Sequence, residues 1–259
     1  MNNKDLSGNS NILPIQDKVN PRVKVQLSYR LKTVADMVSK GNRVADIGCD
    51  HAYVSIYLVK NRIASKVIAL DVNTGPLKKA NENIRNHGLM NQIETRLSDG
   101  GQRLQLDEVD TILIAGMGGA LMAKILSDSK EVVSACEELV LQPQSEIFLV
   151  RKVIEDIDYE IVDEDMLIDD SKYYVIIKAR KSSNAYPISS YKELEYRYGK
   201  ILLDKKNLVL KQYLLEGLKV NQDLVSTLGK SNSAKAKKRI EELTIDIEYI
   251  KEGLKYYEM

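Results

Sequence analysis

Four short clusters carry the residues whose types and spacing could do chemistry. They are Asp46, Gly48, Cys49, Asp50 and His51 in "DIGCDH", then Asp71 with Val72, then "SDG" with Asp99 and Gly100, then "AGMGG" from Ala115 to Gly119. Each follows a short apolar run, the place where a strand of an open α/β sheet ends and its ligand binds. Asp71 lies 23 residues after Gly48, close to the offset of about 20 at which a carboxylate grips ribose hydroxyls. The ligand is therefore expected to contain adenosine, with Asp99 placed to accept the adenine amino group. Cofactors with a pyrophosphate need glycines in the first turn; here Asp50 and His51 stand in their place. A carboxylate there would repel phosphate by roughly 1–4 kcal/mol near a surface. S-adenosylmethionine has no phosphate and carries a sulfonium and an ammonium, so the same acids attract it. No G-x-x-x-x-G-K-[ST] loop occurs, which excludes a Walker site. The turn through Ala115, Gly116 and Met117 offers open backbone for the methionine half, and Gly118 and Gly119 are expected on the side of the incoming nucleophile. Each piece alone is an ordinary turn; four in order at successive strand ends are a site.

The elements that must position these clusters alternate regularly. Runs rich in Val and Ile lie at 43–47, 66–70, 92–97, 109–115 and 138–142, and amphipathic segments follow at 54–61, 76–87, 119–127 and 145–156. Strand alternating with helix predicts a parallel sheet covered on both faces, a Rossmann-like α/β fold. "YEIVDEDMLIDD" and "KYYVIIKARK" have no helix between them and predict an antiparallel hairpin at the sheet edge. Upstream, apolar residues at helical spacing predict a helix from Val23 to Val38, closed by Gly41.

Residues 1–20 are read as a disordered tail, 21–185 as the Rossmann-like domain and 186–259 as a helical domain, joined through the polar stretch "SSNAYPISS". In the last segment Ile240, Leu243, Ile247, Ile250, Leu254 and Tyr257 step by three and four, a coiled-coil seam. Leu194 to about Leu224 has a poorer seam, interrupted at Lys205 and Gln212, and "STLGKSNSA" reads as the turn of an antiparallel helical hairpin.

No apolar run approaches the ~20 residues of a membrane span, and "MNNKDLSGNSNILPIQDKVN" has no signal-peptide core. Two cysteines are too few for a disulfide framework or a zinc site. A cytoplasmic, reduced, metal-free protein is expected. Net charge is +1, yet residues 1–45 hold eight Lys/Arg against three Asp/Glu and residues 186–259 hold fourteen against eleven. The middle is correspondingly acidic: basic flanks suit a polyanion, and an acidic centre suits a cation.

The stretches "LSYRLKTVADMV", "VADIGCDHAYVSIYL", "DVNTGPLKKANENI", "LSDGGQRL" and "DTILIAGMGGALMAKIL" resemble the bacterial tRNA (adenine-22-N1)-methyltransferases, the TrmK family. The motif resemblance covers about residues 27–180; the helical hairpin matches in architecture only. The chain departs from the pattern at Gln144, where the family has Asn in Gln-Pro-Asn; at Val175, where a glutamate is usual; and at Cys49, where small residues are.

The resemblance implies a class I methyltransferase sheet, S-adenosylmethionine as cofactor, tRNA as partner, and methyl transfer to N1 of adenine 22 in the D-arm. It also places His51 in the cofactor loop, and Arg30 matches an arginine that the family keeps. The loop used for exocyclic amines, [DN]-P-P-[YFW], is absent at 115–119. Adenine N1 has a free lone pair at neutral pH and needs alignment and a counter-charge rather than a base. Asp50 and Arg30 are the expected catalytic residues: Asp50 to orient the base or balance its charge, Arg30 to hold a phosphate or the base. Tyr53 is the nearest ring for the flipped base, with a helix-face core position as its alternative; Gln142 and Pro143 are expected to line the base pocket. Phosphates would meet Arg22, Lys24, Arg30 and Lys32 on the first helix and Lys237, Lys238 and Arg239 in "KAKKR". His87, before Gly88, reads as a helix C-terminal residue and Cys136 as buried filler. A monomer is expected. The competing readings are a methyltransferase for another RNA or a small molecule, and a non-enzymatic RNA-binding scaffold with a vestigial loop.

Overall fold

The computed structural model describes residues 25–182, 191–231 and 233–258. The expected tail at 1–20, Arg22, Lys24 and most of the polar linker lie outside them.

Seven strands form one sheet: β1 Arg43–Ile47, β2 Lys66–Asp71, β3 Ile93–Leu97, β4 Thr111–Met117, β5 Glu138–Pro143, β6 Tyr159–Asp169 and β7 Lys172–Lys181. Their spatial order is β3-β2-β1-β4-β5-β7-β6. β1 to β5 run parallel, and β7 enters antiparallel between β5 and β6. The order reverses between β1 and β4, so the crevice beyond their carboxyl ends is where a ligand is expected.

Alternate strand residues serve opposite faces. Ala45, Ile47, Ile112, Ile114, Leu139, Leu141 and Ile177 pack on one side, under α4 (Gly119–Asp128), α5 (Lys130–Ala135) and α6 (Ile147–Asp156). Val44, Val67, Ala69, Leu113, Val140 and Ile176 pack on the other, under α1 (Tyr29–Met37), α2 (Tyr53–Lys60) and α3 (Thr74–Asn86). The first helix begins at Tyr29 rather than Val23, because Ser28 caps it by accepting from the Leu31 N–H (3.3 Å).

The C-terminal segment is helical, and its first part breaks at Lys205, where the seam is interrupted, and once more before that. It forms α7 (Glu193–Tyr198), α8 (Lys200–Asp204), α9 (Leu208–Leu228) and α10 (Ala234–Leu254), with a 3-10 turn at Lys255–Tyr257. Gly199, at φ +87°, ends α7, and Lys206, at φ +52°, ends α8 before Asn207 caps α9. Gln212 interrupts nothing; it lies within α9 and donates to Glu216 Oε1 (2.9 Å). α9 and α10 pair antiparallel, Leu214 lying against Gly253 and Ile250 against Gly217. The seam of α10 faces inward: Leu243 and Ile250 are buried, and Ile240, Ile247, Leu254 and Tyr257 half-buried. Leu194, Leu202, Leu203, Leu210, Leu214 and Ile250 continue the first face's core without a break.

Candidate active site

The first loop keeps the bends of a glycine-rich turn with only Gly48 of its glycines. After β1, Gly48 (φ +77°), Asp50 (φ +51°) and Ala52 (φ +59°) alternate through the left-handed region before α2 begins. Asp tolerates that conformation better than most residues; Ala does not, and such residues cost of order 1–3 kcal/mol each. The loop is held by Gly48 and Cys49 N–H groups donating to Leu70 O (2.8 and 2.9 Å) and by Ala52 N–H donating to Cys49 O (2.8 Å). Gly48 suits the positive φ, and a Cβ there would in addition push the flexible end of Met117 aside, its Cε lying 2.1 Å away.

A cleft of about 530 Å³ opens at the switch point. Asp46, Gly48, Cys49, Asp50, His51 and Tyr53 line it from the first loop. Asp71 and Val72 come from the second strand end, Asp99 and Gly100 from the third, Ala115, Gly116 and Met117 from the fourth, and Arg30 from α1. The fold thus brings all eleven expected cofactor residues, and both expected catalytic residues, to one cavity.

Asp46 is buried and accepts from Ser55 Oγ (2.6 Å). Burial pushes its carboxyl up to about 6 against the opposing Ser55 bonds, with Asp71 adding to the rise. Burial, then Asp46 and Asp71, likewise raise the Cys49 thiol; it stays protonated and acts as a small apolar wall. Asp71 Oδ1 accepts from the Asn73 N–H (2.8 Å). The Asp50 side chain is 73% exposed, with Oδ1 at 3.6 Å from His51 Nδ1. His51 Nδ1 is itself buried without a hydrogen bond from the described residues, a polar atom that a ligand can complete. Tyr53, 43% exposed, stands at the mouth edge-on to His51 rather than in the core.

Arg30 is fixed from three sides. Its backbone N–H donates to Asp169 Oδ2 (3.1 Å), its Nη1 donates to Gln142 Oε1 (2.5 Å), and its guanidinium lies over the Tyr174 ring, 5.1 Å from the centroid. Gly116, at φ +82°, leaves room beneath Arg30 and Gln144.

Gln142 and Pro143 do not line the cleft. Both are buried, and Gln142 bridges Arg30 and the Pro143 carbonyl (3.0 Å), so it positions Arg30 from behind. Gln144, two residues on, is the lining residue. Gly118 and Gly119 also lie outside the lining. Gly119 is where the chain passes the β5–α6 connection, and a Cβ would meet Ser145 O at 2.5 Å. Lys237, Lys238 and Arg239 are exposed on the first turns of α10, with Arg239 paired to Glu242 (2.8 Å), and line neither this cleft nor the next. Lys32, exposed on α1, pairs with Asp36 (2.5 Å). His87 is the C-cap of α3, its Nδ1 2.8 Å from Asn83 O. Cys136 is buried, its thiol against Val132 and Val109 carbonyls. Among the described residues no group of three or more His, Cys, Asp or Glu could hold a metal ion, and no helix is long and apolar enough to cross a membrane. Leu121, Ile125 and Asn73 also line the cleft; a single apolar or amide residue on a helix carries no signal that would have singled it out.

The Methyltransferase domain family matches residues 27–177. The chain is 33% identical over 231 residues to the tRNA (adenine(22)-N(1))-methyltransferase of Bacillus subtilis (strain 168), covering 88% of this chain and 97% of that protein. It belongs to the tRNA (adenine(22)-N(1))-methyltransferase family. The crystal structure of the B. subtilis m1A22 tRNA methyltransferase TrmK superposes with a TM-score of 0.79 at 32% identity, covering 89% of this chain and all of that one. A Streptococcus pneumoniae relative solved in complex with S-adenosyl-L-methionine gives a TM-score of 0.76 at 31% identity, over 88% of this chain and all of that one. The TrmK likeness therefore extends beyond the sheet to the C-terminal helices, where the motifs alone were silent.

Proposed function

We propose that this protein transfers the methyl group of S-adenosylmethionine to N1 of adenine 22 in the D-arm of tRNA. The observation that carries the reading is the acid-lined cleft at the switch point, in a chain of this family. Residues 21–185 form the catalytic domain and 186–259 a helical domain facing RNA.

The donor set fits the cofactor: Asp46, Asp50, Asp71 and Asp99 suit a cation, and the left-handed turn gives the backbone a close approach. Asp71 would hold the ribose hydroxyls, Asp99 the adenine amine, and the 115–117 turn the methionine half, with His51, Cys49, Gly48, Gly100 and Val72 as walls. When bound, S-adenosylmethionine supplies a methyl on sulfonium that adenine N1 attacks with its lone pair, the C–S bond breaking as the N–C bond forms. Because N1 lies on the Watson–Crick edge, the adenine must leave its helix first, at a few kcal/mol. Tyr53 at the mouth offers it a ring. Asp50, exposed beside the same mouth, balances the positive charge that the base gains. Arg30 holds the base or its phosphate, and Lys237, Lys238 and Arg239 meet phosphates farther out. The enzyme is a cytoplasmic monomer that needs no metal; light scattering and turnover in EDTA check the last two points.

Transfer of labelled methyl from S-adenosylmethionine to an unmodified tRNA transcript tests the reading. Asp50→Ala is expected to lose about 100-fold in turnover while keeping its fold. Undiminished turnover in that variant would remove Asp50 from the mechanism. A cofactor-induced rise in melting temperature without transfer to tRNA would favour another substrate.

Asp46 adds a pH dependence with a definite sign. Its folded pKa of about 6 lies above the unfolded value of about 4. Between these values the folded chain binds more protons than the unfolded one. Its contribution to stability is therefore full below about pH 4 and is lost as pH rises through about 6. A bound cation favours the ionised form, so S-adenosylmethionine affinity should fall about tenfold from pH 7 to pH 5. Calorimetry across that range checks this, and Asp46→Asn should flatten the dependence. An equally steep profile in the variant would place the titration elsewhere.

A further inference from the structure

A second cleft, of about 590 Å³, lies between the β5–α6 connection and the α9–α10 hairpin. Its size is that of a small-ligand site. Gln144, exposed just beyond β5, lines both this cleft and the first, so the two cavities adjoin at that side chain.

The lining is aromatic above an apolar floor. Tyr173 and Tyr213 meet edge to face, centroids 5.2 Å apart at 71°, and Tyr213 remains 43% exposed. Phe148 and Tyr198 add further rings, and Leu214 and Ile250 form the floor. The cations in the wall are already engaged: Arg151 pairs with Glu164 (2.8 Å), and Arg197 pairs with Asp246 (3.1 Å) and lies over Tyr249 (4.4 Å). Glu146 adds a negative charge outside those pairs. A phosphate finds repulsion there, whereas a flat heteroaromatic ring finds stacking faces and, at Asn221, an amide to bond its edge.

We propose that this cleft receives a nucleobase of the RNA substrate: the base left unpaired when the target adenine leaves its helix. The inference rests on the function proposed above. That reaction requires a base pair to be opened, which leaves one base orphaned beside the one being methylated. Two clefts that adjoin at Gln144 accommodate the two partners, with the Gln144 carboxamide between them. Stacking the orphan on Tyr213 recovers part of the cost of opening the pair, and substrates whose opposing nucleotide stacks poorly lose that gain.

The test measures kcat/KM for methyl transfer with the full chain on two tRNA transcripts, one intact and one abasic opposite adenine 22. On the intact RNA, wild type is expected to exceed Tyr213→Ala by on the order of tenfold, with S-adenosylmethionine affinity unchanged and Tyr213→Phe restoring the loss. On the abasic RNA the ratio should fall to about one, because there is no base to receive. A ratio that is the same on both RNAs, or about one on the intact RNA, overturns the inference alone. Wild type that leaves the intact transcript unmethylated overturns the proposed function as well.

Discussion

Arg151→Ala is expected to destabilise the protein by about 3–5 kcal/mol, a large share of the 5–15 kcal/mol that holds a typical domain. Arg151 on α6 and Glu164 on β6 are 2% and 1% exposed, and they join at 2.8 Å. The guanidinium also donates to the carbonyls of Tyr196 (2.8 Å) and Arg197 (3.2 Å), the last turn of α7. One side chain thus ties three elements and satisfies carbonyls that a helix end leaves open. Removing it strands a buried carboxylate whose Oε2 already lacks a hydrogen bond from the described residues. Gly199 closes the clamp: at φ +87°, a Cβ there would lie 2.5 Å from Glu164 Oε2 and 2.7 Å from Arg151 Nη2. Urea unfolding checks the prediction. The double replacement Arg151→Met, Glu164→Leu should recover most of the loss, since an apolar pair leaves no charge unpaired. A single variant within 1 kcal/mol of wild type would mean the pair is solvated.

The second large effect belongs to Arg30. Arg30→Ala should lower kcat/KM for tRNA by at least about 100-fold while leaving S-adenosylmethionine binding within about twofold. The asymmetry follows from position. Arg30 is the cation among the acids named in the cleft, and its three anchors, Gln142 on β5, Asp169 on β6 and Tyr174 on β7, lie outside the loops that hold the cofactor. Lysine should not rescue, because it cannot donate to Gln142, stack on Tyr174 and present a second nitrogen to RNA at once. Gln142→Ala should reproduce part of the loss by releasing Arg30. Equal losses of cofactor and tRNA binding in Arg30→Ala would instead mean that α1 has collapsed onto the cleft.

Much of this architecture is legible in the chain. The five parallel strands, and the acids at the ends of the first three, follow from apolar runs punctuated by Asp and Gly, because a buried strand and a left-handed turn each admit few residue types. Four features escape such reading. Gln142 and Gln144 are both polar residues near a strand end; Gln142 is buried inside β5, and Gln144 lies just past its end and lines the cleft, a boundary that residue type does not mark. Arg151 sits in a segment whose amphipathic period says only that one face is buried; its partner comes from another element. The break at Gly199 reflects the space that the same ion pair occupies, a tertiary constraint no local propensity records. The second cleft is likewise a product of packing between β5, β6, β7 and the hairpin.

The most direct test of the central claim is nucleoside mass spectrometry of an unmodified tRNA transcript after incubation with this protein and S-adenosylmethionine. The account predicts one 1-methyladenosine per transcript, absent when adenine 22 is replaced by guanine. Methylation that survives the replacement, or that falls on the exocyclic amine, would contradict it.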